Sequence, residues 1–121
     1  MTPRARLGDF GERVASHHLE AAGMTILVRK LRLPSGEIDI VARDREDIVL
    51  VEVRTRRGMN GAASESITAT KLARMWRCAF EYAEANTVSI EQIRLDLLAI
   101  ELKPGGQVGE VIHLRALEAL E

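Results

Sequence analysis

The sequence is short of most features that announce a function. Cys78 is the single cysteine among 121 residues, so no internal disulfide can hold the fold, which fits a reducing compartment. Its place in a helical pattern reads as a core position and not as a nucleophile. Zinc spacing is missing too: His17 and His18 are neighbours on a helix and diverge by roughly 100°, and His113 is far along the chain. Aromatic residues make up 3%, too few for a base-stacking platform. No apolar run reaches the length of a membrane span, and Met1-Thr2-Pro3-Arg4-Ala5-Arg6 is not followed by the apolar stretch of a signal peptide. The expectation is a cytoplasmic chain without a membrane partner. A phosphate-binding G-x-x-x-x-G-K-[ST] loop and a dinucleotide fingerprint are absent. Ser35 and Ser64 have no triad context.

What is present is ordinary globular material, 46% hydrophobic and 29% charged. A chain of this length buries roughly two-thirds of its unfolded surface, enough for one domain over residues 1–121 without staples. Net charge is −1, but its distribution is uneven. Residues 1–77 carry 14 Lys/Arg against 10 Asp/Glu, and residues 78–121 carry 3 against 8. Such asymmetry hints at a polyanion-facing surface; a chance difference between solvated faces is the plainer account.

Periodicity predicts a helix from Asp9 to about Ala22, with Asp9 as cap, Glu12 completing a capping-box-like pair, and Phe10, Val14, His18 and Ala22 on one stripe beside Leu19. Gly23 closes it. Strands are predicted over Met24–Leu33, Glu37–Ala42 and Ile48–Val53, with turns at Pro34-Ser35-Gly36 and Asp44-Arg45-Glu46-Asp47. In the second strand, alternation puts Glu37, Asp39 and Val41 on one face and Ile38, Ile40 and Ala42 on the other. The third is almost continuously apolar, the mark of a central strand covered on both faces. Arg54 to Ala63 reads as an Arg- and Gly-rich loop. A long helix follows, from Ser66 or Thr68 to Ala85, with Leu72, Met75 or Trp76, Ala79 and Ala83 inward and Asn86 closing it. A fourth strand covers Ile93–Ile100, a fifth Val108–Leu114, and a short tail helix Ala116–Leu120. The long helix is long enough for a crossover that makes strands three and four parallel. The prediction is an α/β fold with a mixed central sheet flanked by helices.

Asp39 and Glu52 carry the chemistry. Both are mid-strand carboxylates in apolar surroundings, where a charge is expensive without a partner. Facing one way and about 5 Å apart, they would repel by roughly 3 kcal/mol at an effective dielectric of 20. A proton, a basic side chain or a metal ion must relieve that. Oxygen-only ligation suits Mg²⁺ or Mn²⁺. Arg54, two residues after Glu52, shares its face, so a structural cluster of Asp39, Glu52 and Arg54 is the equal alternative to a metal site. Arg94 and Asp96 alternate on the fourth strand and predict a buried ion pair beside this site. Trp76 reads as a packing anchor.

Gly36-Glu37-Ile38-Asp39 followed by Glu52-Val53-Arg54 resembles the core motif of the PD-(D/E)xK nuclease superfamily. The chain as a whole resembles the YraN family of small bacterial proteins, through Gly8 to Ala15, Gly36 to Val41, Val51 to Arg56, Lys71 and Arg94-Leu95-Asp96. The likeness covers about residues 8–102, and its specificity lies in five separated motifs arriving in order. It implies a restriction-endonuclease-like αβββαβ core and a divalent-metal-dependent endonuclease acting on DNA. By that resemblance Asp39, Glu52 and the Val53 carbonyl bind Mg²⁺ or Mn²⁺, and Glu12 joins them or merely caps its helix. Glu37 is an accessory carboxylate or a solvated one. Lys71, at the position of a helix lysine of these proteins, meets a phosphate or is a solvated helix lysine; apart from the resemblance, Arg29, Lys30, Arg32, Arg56, Arg57, Arg74 and Arg77 could supply a phosphate-tracking surface. The family pattern places lysine where this chain has Arg54, which leaves open whether Arg54 supports cleavage, phosphate binding alone, or a clamp on the acids. A catalytically inactive nucleic-acid-binding module and a protein-interaction module are the alternative readings. A homodimer is compatible with each.

Overall fold

The computed structural model describes residues 2–57 and 67–118. Helix α1 (Pro3–Ala21) is followed by strands β1 (Thr25–Leu33), β2 (Gly36–Asp44) and β3 (Asp47–Arg57). Helix α2 (Ala69–Asn86) and a 3-10 turn (Ile90–Gln92) then lead to β4 (Ile93–Leu102) and β5 (Val108–Leu114). The strands form one sheet in the order β1-β2-β3-β4-β5. Only the β3–β4 pair is parallel; the others are antiparallel. The chain is thus α/β, with a mixed sheet between two helices and the element order αβββαβ in its first six main elements. No helix among the described residues is long and apolar enough to cross a membrane.

The core lies in two layers because the strands alternate. Under α1, Ala15 and Leu19 meet Ile40, Val49, Val51, Leu98 and Ile100. Under α2, Leu72, Met75, Cys78 and Ala79 meet Ile38, Val41, Leu50 and Leu95. Central β3 therefore gives Val49 and Val51 to one layer and Leu50 to the other. Cys78 is fully buried, and Trp76 packs at the edge of the second layer.

Several expectations need correcting. Helix α1 begins at Pro3, so Asp9 lies inside it and caps nothing. Pro at the first helical position loses no hydrogen bond, a signal that Asp9-x-x-Glu12 obscured. The Glu12 side chain is therefore free of capping duty. Ala22 is exposed and His18 only half-buried; Ala15 and Leu19 hold the buried stripe. Alternation in β2 changes phase at Asp39, since Ile38 and Ile40 join opposite layers. The cause is visible in the β1–β2 ladder, which pairs Arg29 with Ile40 and Leu31 with Ile38 but skips Lys30 and Asp39. Lys30 has φ 54°, a left-handed backbone that breaks the pleat. Arg54–Arg57 continue β3, paired to β4, and are not loop. The remainder of that expected loop, Ser64 and Ser66 lie outside the described residues. Helix α2 is capped by Thr68, whose hydroxyl accepts from the Lys71 amide, and Thr87, not Asn86, closes it in a left-handed conformation. Residues 116–118 are not helical; the Leu117 amide donates to Leu95 O. The rest of the expected tail helix lies outside the described residues.

Candidate functional site

The antiparallel ladder between β2 and β3 ends at Ile40 and Val51. Asp39 and Glu52 stand one step beyond, where the two strands part. There the Asp39 carboxylate takes over the role of a backbone acceptor: the Val53 amide donates to Asp39 Oδ2 at 2.7 Å. The carboxyl group is pushed up to about 8, chiefly by burial, then by the hydrogen bond and charge of Glu52, against the opposing pull of the Val53 amide. Protonation of Asp39, which this shift favours, is one of the three ways of relieving the repulsion of such a pair.

Glu52 is nearly sealed, at 6% exposure. Three cations converge on its Oε2: Arg54 Nη2 at 3.3 Å, Lys71 Nζ at 3.4 Å and Arg74 Nη2 at 3.6 Å. All three distances exceed those of short charge-assisted hydrogen bonds. The interaction is one of clustered charge, with more positive groups than one carboxylate can satisfy. Arg54 arrives by alternation along β3, and Lys71 and Arg74 come from one face of α2. Gly36 makes room for the last of these. It has φ +151°, and a Cβ there would run into the Arg74 guanidinium, which also donates to Glu37 O at 3.4 Å.

On the α1 side, Glu12, Asp39, Val53, Arg54 and Arg56 line a cavity of about 550 Å³. The helix reaches this wall because Gly11 lies directly against Thr55, where a Cβ would overlap the hydroxyl. Burial pushes the Glu12 carboxyl up, with Lys30 pulling it the other way; Lys30 Nζ is 3.9 Å from Glu12 Oε2 and 2.8 Å from Asp9 Oδ1.

The sequence-predicted residues separate into groups. Asp39, Glu52, Arg54, Lys71 and Arg74 form one connected cluster. Glu12 and Arg56 face the cavity with Asp39 and Arg54. Arg57 instead lines a neighbouring depression with Arg6, Leu7 and Phe10. The exposed Glu37 offers its backbone oxygen to Arg74, and its carboxylate makes no hydrogen bond or ion pair among the described residues. Lys71 is no freely solvated lysine. The buried Arg94–Asp96 pair exists, but not beside this site. It belongs to a separate network with Asp44 and His113 and shares no hydrogen bond or ion pair with Asp39 or Glu52. The sequence did not point to Asp44 or His113, nor to the Ser35–Glu81 contact, in which the Ser35 amide and hydroxyl meet the two Glu81 oxygens at 3.0 and 2.5 Å. Partners so distant in sequence leave no spacing signal.

As a donor set for a divalent cation, the site offers carboxylate oxygens alone. Among the described residues no group of three or more His, Cys, Asp or Glu is placed to hold a metal ion. One or two carboxylates with waters are the ordinary protein contribution to Mg²⁺, so the Asp39–Glu52 pair fits that ion.

A sequence model of the uncharacterised protein family UPF0102 matches residues 11–100. The chain belongs to this family. It is the YraN family that the motifs resemble, and the matched span holds both acids and all three cations around Glu52. A UPF0102 protein of Beutenbergia cavernae is 38% identical over 118 residues, covering 97% of this chain and 99% of the relative. One from Kineococcus radiotolerans is 45% identical over 102 residues, 83% and 84% of the two chains. Another, from Roseiflexus castenholzii, is 44% identical over 113 residues, 92% and 91%. Among solved structures, Pyrococcus furiosus SfsA in complex with Ca²⁺ aligns over 92% of this chain and 63% of that one, at 14% identity and a TM-score of 0.40. That likeness is too loose to argue from. The UPF0102 relatives match nearly end to end and bear names that state no activity.

Proposed function

We propose that this UPF0102 protein is a divalent-metal-dependent phosphodiesterase of the endonuclease type, acting on DNA. The observation that carries the reading is the Asp39–Glu52 pair: two adjoining carboxylates, one holding its proton to about pH 8, beside a cavity with a cationic wall. An acid pair kept under such repulsion inside a sheet is poorly suited to a purely structural role, and perturbed carboxyls in a cleft mark functional sites.

Asp39 and Glu52 would hold Mg²⁺ or Mn²⁺, with the Val53 carbonyl as a further oxygen; the ion would supply an acidified water and neutralise charge on the phosphate under attack. The Val53 amide fixes the Asp39 carboxylate, so one of its oxygens is already oriented. Arg54 and Arg56 line the cavity, and Arg54, Lys71 and Arg74, preplaced by their contacts with Glu52, would supply the positive charge that receives the phosphate. Arg54 stands at the position of the superfamily's lysine. It can stabilise charge with a planar donor fork but cannot give up its proton. Glu12, on the opposite wall, is the carboxyl placed to accept a proton or to hold a water. Arg56 extends the cationic rim and Arg57 lies one depression further on. DNA is preferred over other phosphodiesters because of the family motif, and a homodimer would bring two such sites to a duplex.

A second reading is favoured by the same cations. Three positive groups on one oxygen could retain a phosphate backbone with no cation present, which is what a non-catalytic DNA-binding module needs. Cleavage of linear, flapped and four-way-junction DNA with Mn²⁺, and with chelator, separates the two. The nuclease reading expects cutting that chelator stops and Asp39→Asn abolishes. It also expects Arg54→Lys to be faster. Salt-sensitive binding retained by Asp39→Asn, with no cutting by the wild type or Arg54→Lys, would establish the binding module instead.

A further inference from the structure

Two buried polar groups of β3 and β4 have no hydrogen-bond partner among the described residues: Arg54 Nε, and both carboxylate oxygens of Glu101. Glu101 is fully buried. A carboxylate withdrawn from water without a donor is a costly arrangement, and so is an orphaned guanidinium N–H. The two are chemically complementary and close in the fold. In the parallel β3–β4 ladder, Arg54 stands beside Ala99 and Arg56 beside Glu101. Alternation from Leu50 and Leu95, both in the α2 layer, puts Glu52, Arg54 and Arg56 of β3, and Leu97, Ala99 and Glu101 of β4, on that face; Arg56, directly beside Glu101 in the ladder, is exposed and donates to Thr55 O instead. Glu101 is therefore the diagonal neighbour of Arg54, at a separation long side chains bridge. Small Ala99 stands between them in β4.

Arg54 is instead drawn to Glu52, where Lys71 and Arg74 already compete for the same oxygen. The Glu52 charge holds it there. Once that charge is neutralised, three cations have no common anion, and Arg54 is the one with an unpartnered carboxylate diagonal to it. We propose that Arg54 has two seats, Glu52 when that carboxylate is free and Glu101 when it is neutralised, so that Glu101 is a positioning residue that draws Arg54 clear of the acid pair. The trigger would be a divalent cation at Asp39 and Glu52. That trigger rests on the reading above; the pairing of Arg54 with Glu101 does not.

Thermal unfolding tests the pairing without metal. Glu101→Gln is made in the wild type and in Glu52→Gln, where the first seat has lost its charge. In the wild type it replaces a buried carboxyl group that has no hydrogen-bond partner among the described residues, and the Tm is expected to rise by about 2–4 °C. In Glu52→Gln it removes the Arg54 partner, and the Tm is expected to fall by about 4 °C. A shift of the same sign and size in both backgrounds overturns the proposal. Calorimetric titration with Mn²⁺ then tests the trigger. Glu101→Gln is expected to bind Mn²⁺ about tenfold more weakly than the wild type, a loss that disappears when Arg54→Met is present in both partners of the comparison. Mn²⁺ binding equal in the wild type and Glu101→Gln overturns the two-seat device. If the wild type takes up no Mn²⁺ while the Tm shift reverses sign, the metal reading falls and the alternative pairing of Arg54 stands.

Discussion

The sheet carries two networks built on buried acids, and they are opposite in design. Around Asp96 every need is met. Arg94 grips both carboxylate oxygens at 3.0 and 3.1 Å, His113 Nε2 lies 2.7 Å away, and the Ala116 amide donates at 3.0 Å. Burial alone would push the Asp96 carboxyl up; the hydrogen bonds from His113, Arg94 and Ala116 outweigh it, and the group is held below its ordinary value. Around Asp39 the supply falls short. One backbone amide and one neighbouring carboxyl serve it, and the group is displaced the other way. A fold that can satisfy the buried Asp96 this fully, yet leaves the half-buried Asp39 beside a second acid, has not simply run out of donors. Three cations stand within 4 Å of Glu52, and none forms an ion pair with Asp39. The second arrangement supports the proposed metal site, and the first has the form of a structural joint.

The contrast breaks most visibly under removal of a partner. Arg94→Met takes the main counter-ion from a fully buried carboxylate, and we expect a loss of about 3–5 kcal/mol in urea unfolding, the scale for an orphaned buried charge. Asp39→Asn should move the other way. The amide oxygen can still accept from the Val53 amide, while the like charge beside Glu52 is gone, so at pH 8 we expect a gain of about 2 kcal/mol. Loss of stability in Asp39→Asn would make that acid pair a structural element like the Asp96 network. The two sites should also part company with pH. Asp96, held low in the fold, contributes stability above its unfolded value near 4, and this is lost as the pH falls through its folded value. Asp39 is held high: the folded state retains a proton that the unfolded chain releases from about pH 4 upward. Its contribution is therefore present below about pH 4 and lost as the pH rises through about 8. A Tm profile from pH 3 to 9 should show Asp39→Asn diverging from the wild type progressively from about pH 4 to about pH 8 and running parallel to it above that.

These two networks were not equally legible. Asp39 and Glu52 could be found because a charge in the middle of an apolar strand is conspicuous, and Arg54 because period two puts it on the face of Glu52. Lys71 entered by resemblance and Arg74 as one of several basic residues suited to phosphates, and their convergence on one oxygen depends on how α2 crosses β3, which no local spacing encodes. The Asp96 network was half-visible: Arg94 and Asp96 alternate, but Asp44 and His113 are 50 and 17 residues from them. Boundaries failed for local reasons. Asp9 and Glu12 imitated a helix start inside α1, and Lys30 in a left-handed conformation shifted the phase of β2 at the residue that mattered most. The parallel β3–β4 pair was legible because the length of α2 permits a crossover, and the antiparallel pairing of the first three strands because their turns are short; the place of β5 at the sheet edge was not read from the sequence.

The smallest effect sharpens the comparison furthest. Lys71→Met removes one of the cations at Glu52. The other two remain within 3.6 Å, so unlike Arg94 at Asp96 no single one is indispensable. We expect the stability to change by less than about 1 kcal/mol, as for a partly exposed ion pair. DNA binding should report the loss differently. If the surplus of positive charge at Glu52 exists to meet a phosphate, Lys71→Met should reduce the slope of log affinity against log salt by about 0.9, one phosphate contact, on every DNA sequence tried. An unchanged slope with unchanged stability would leave Lys71 without a role in either network, and would confine the phosphate-binding wall to Arg54 and Arg74.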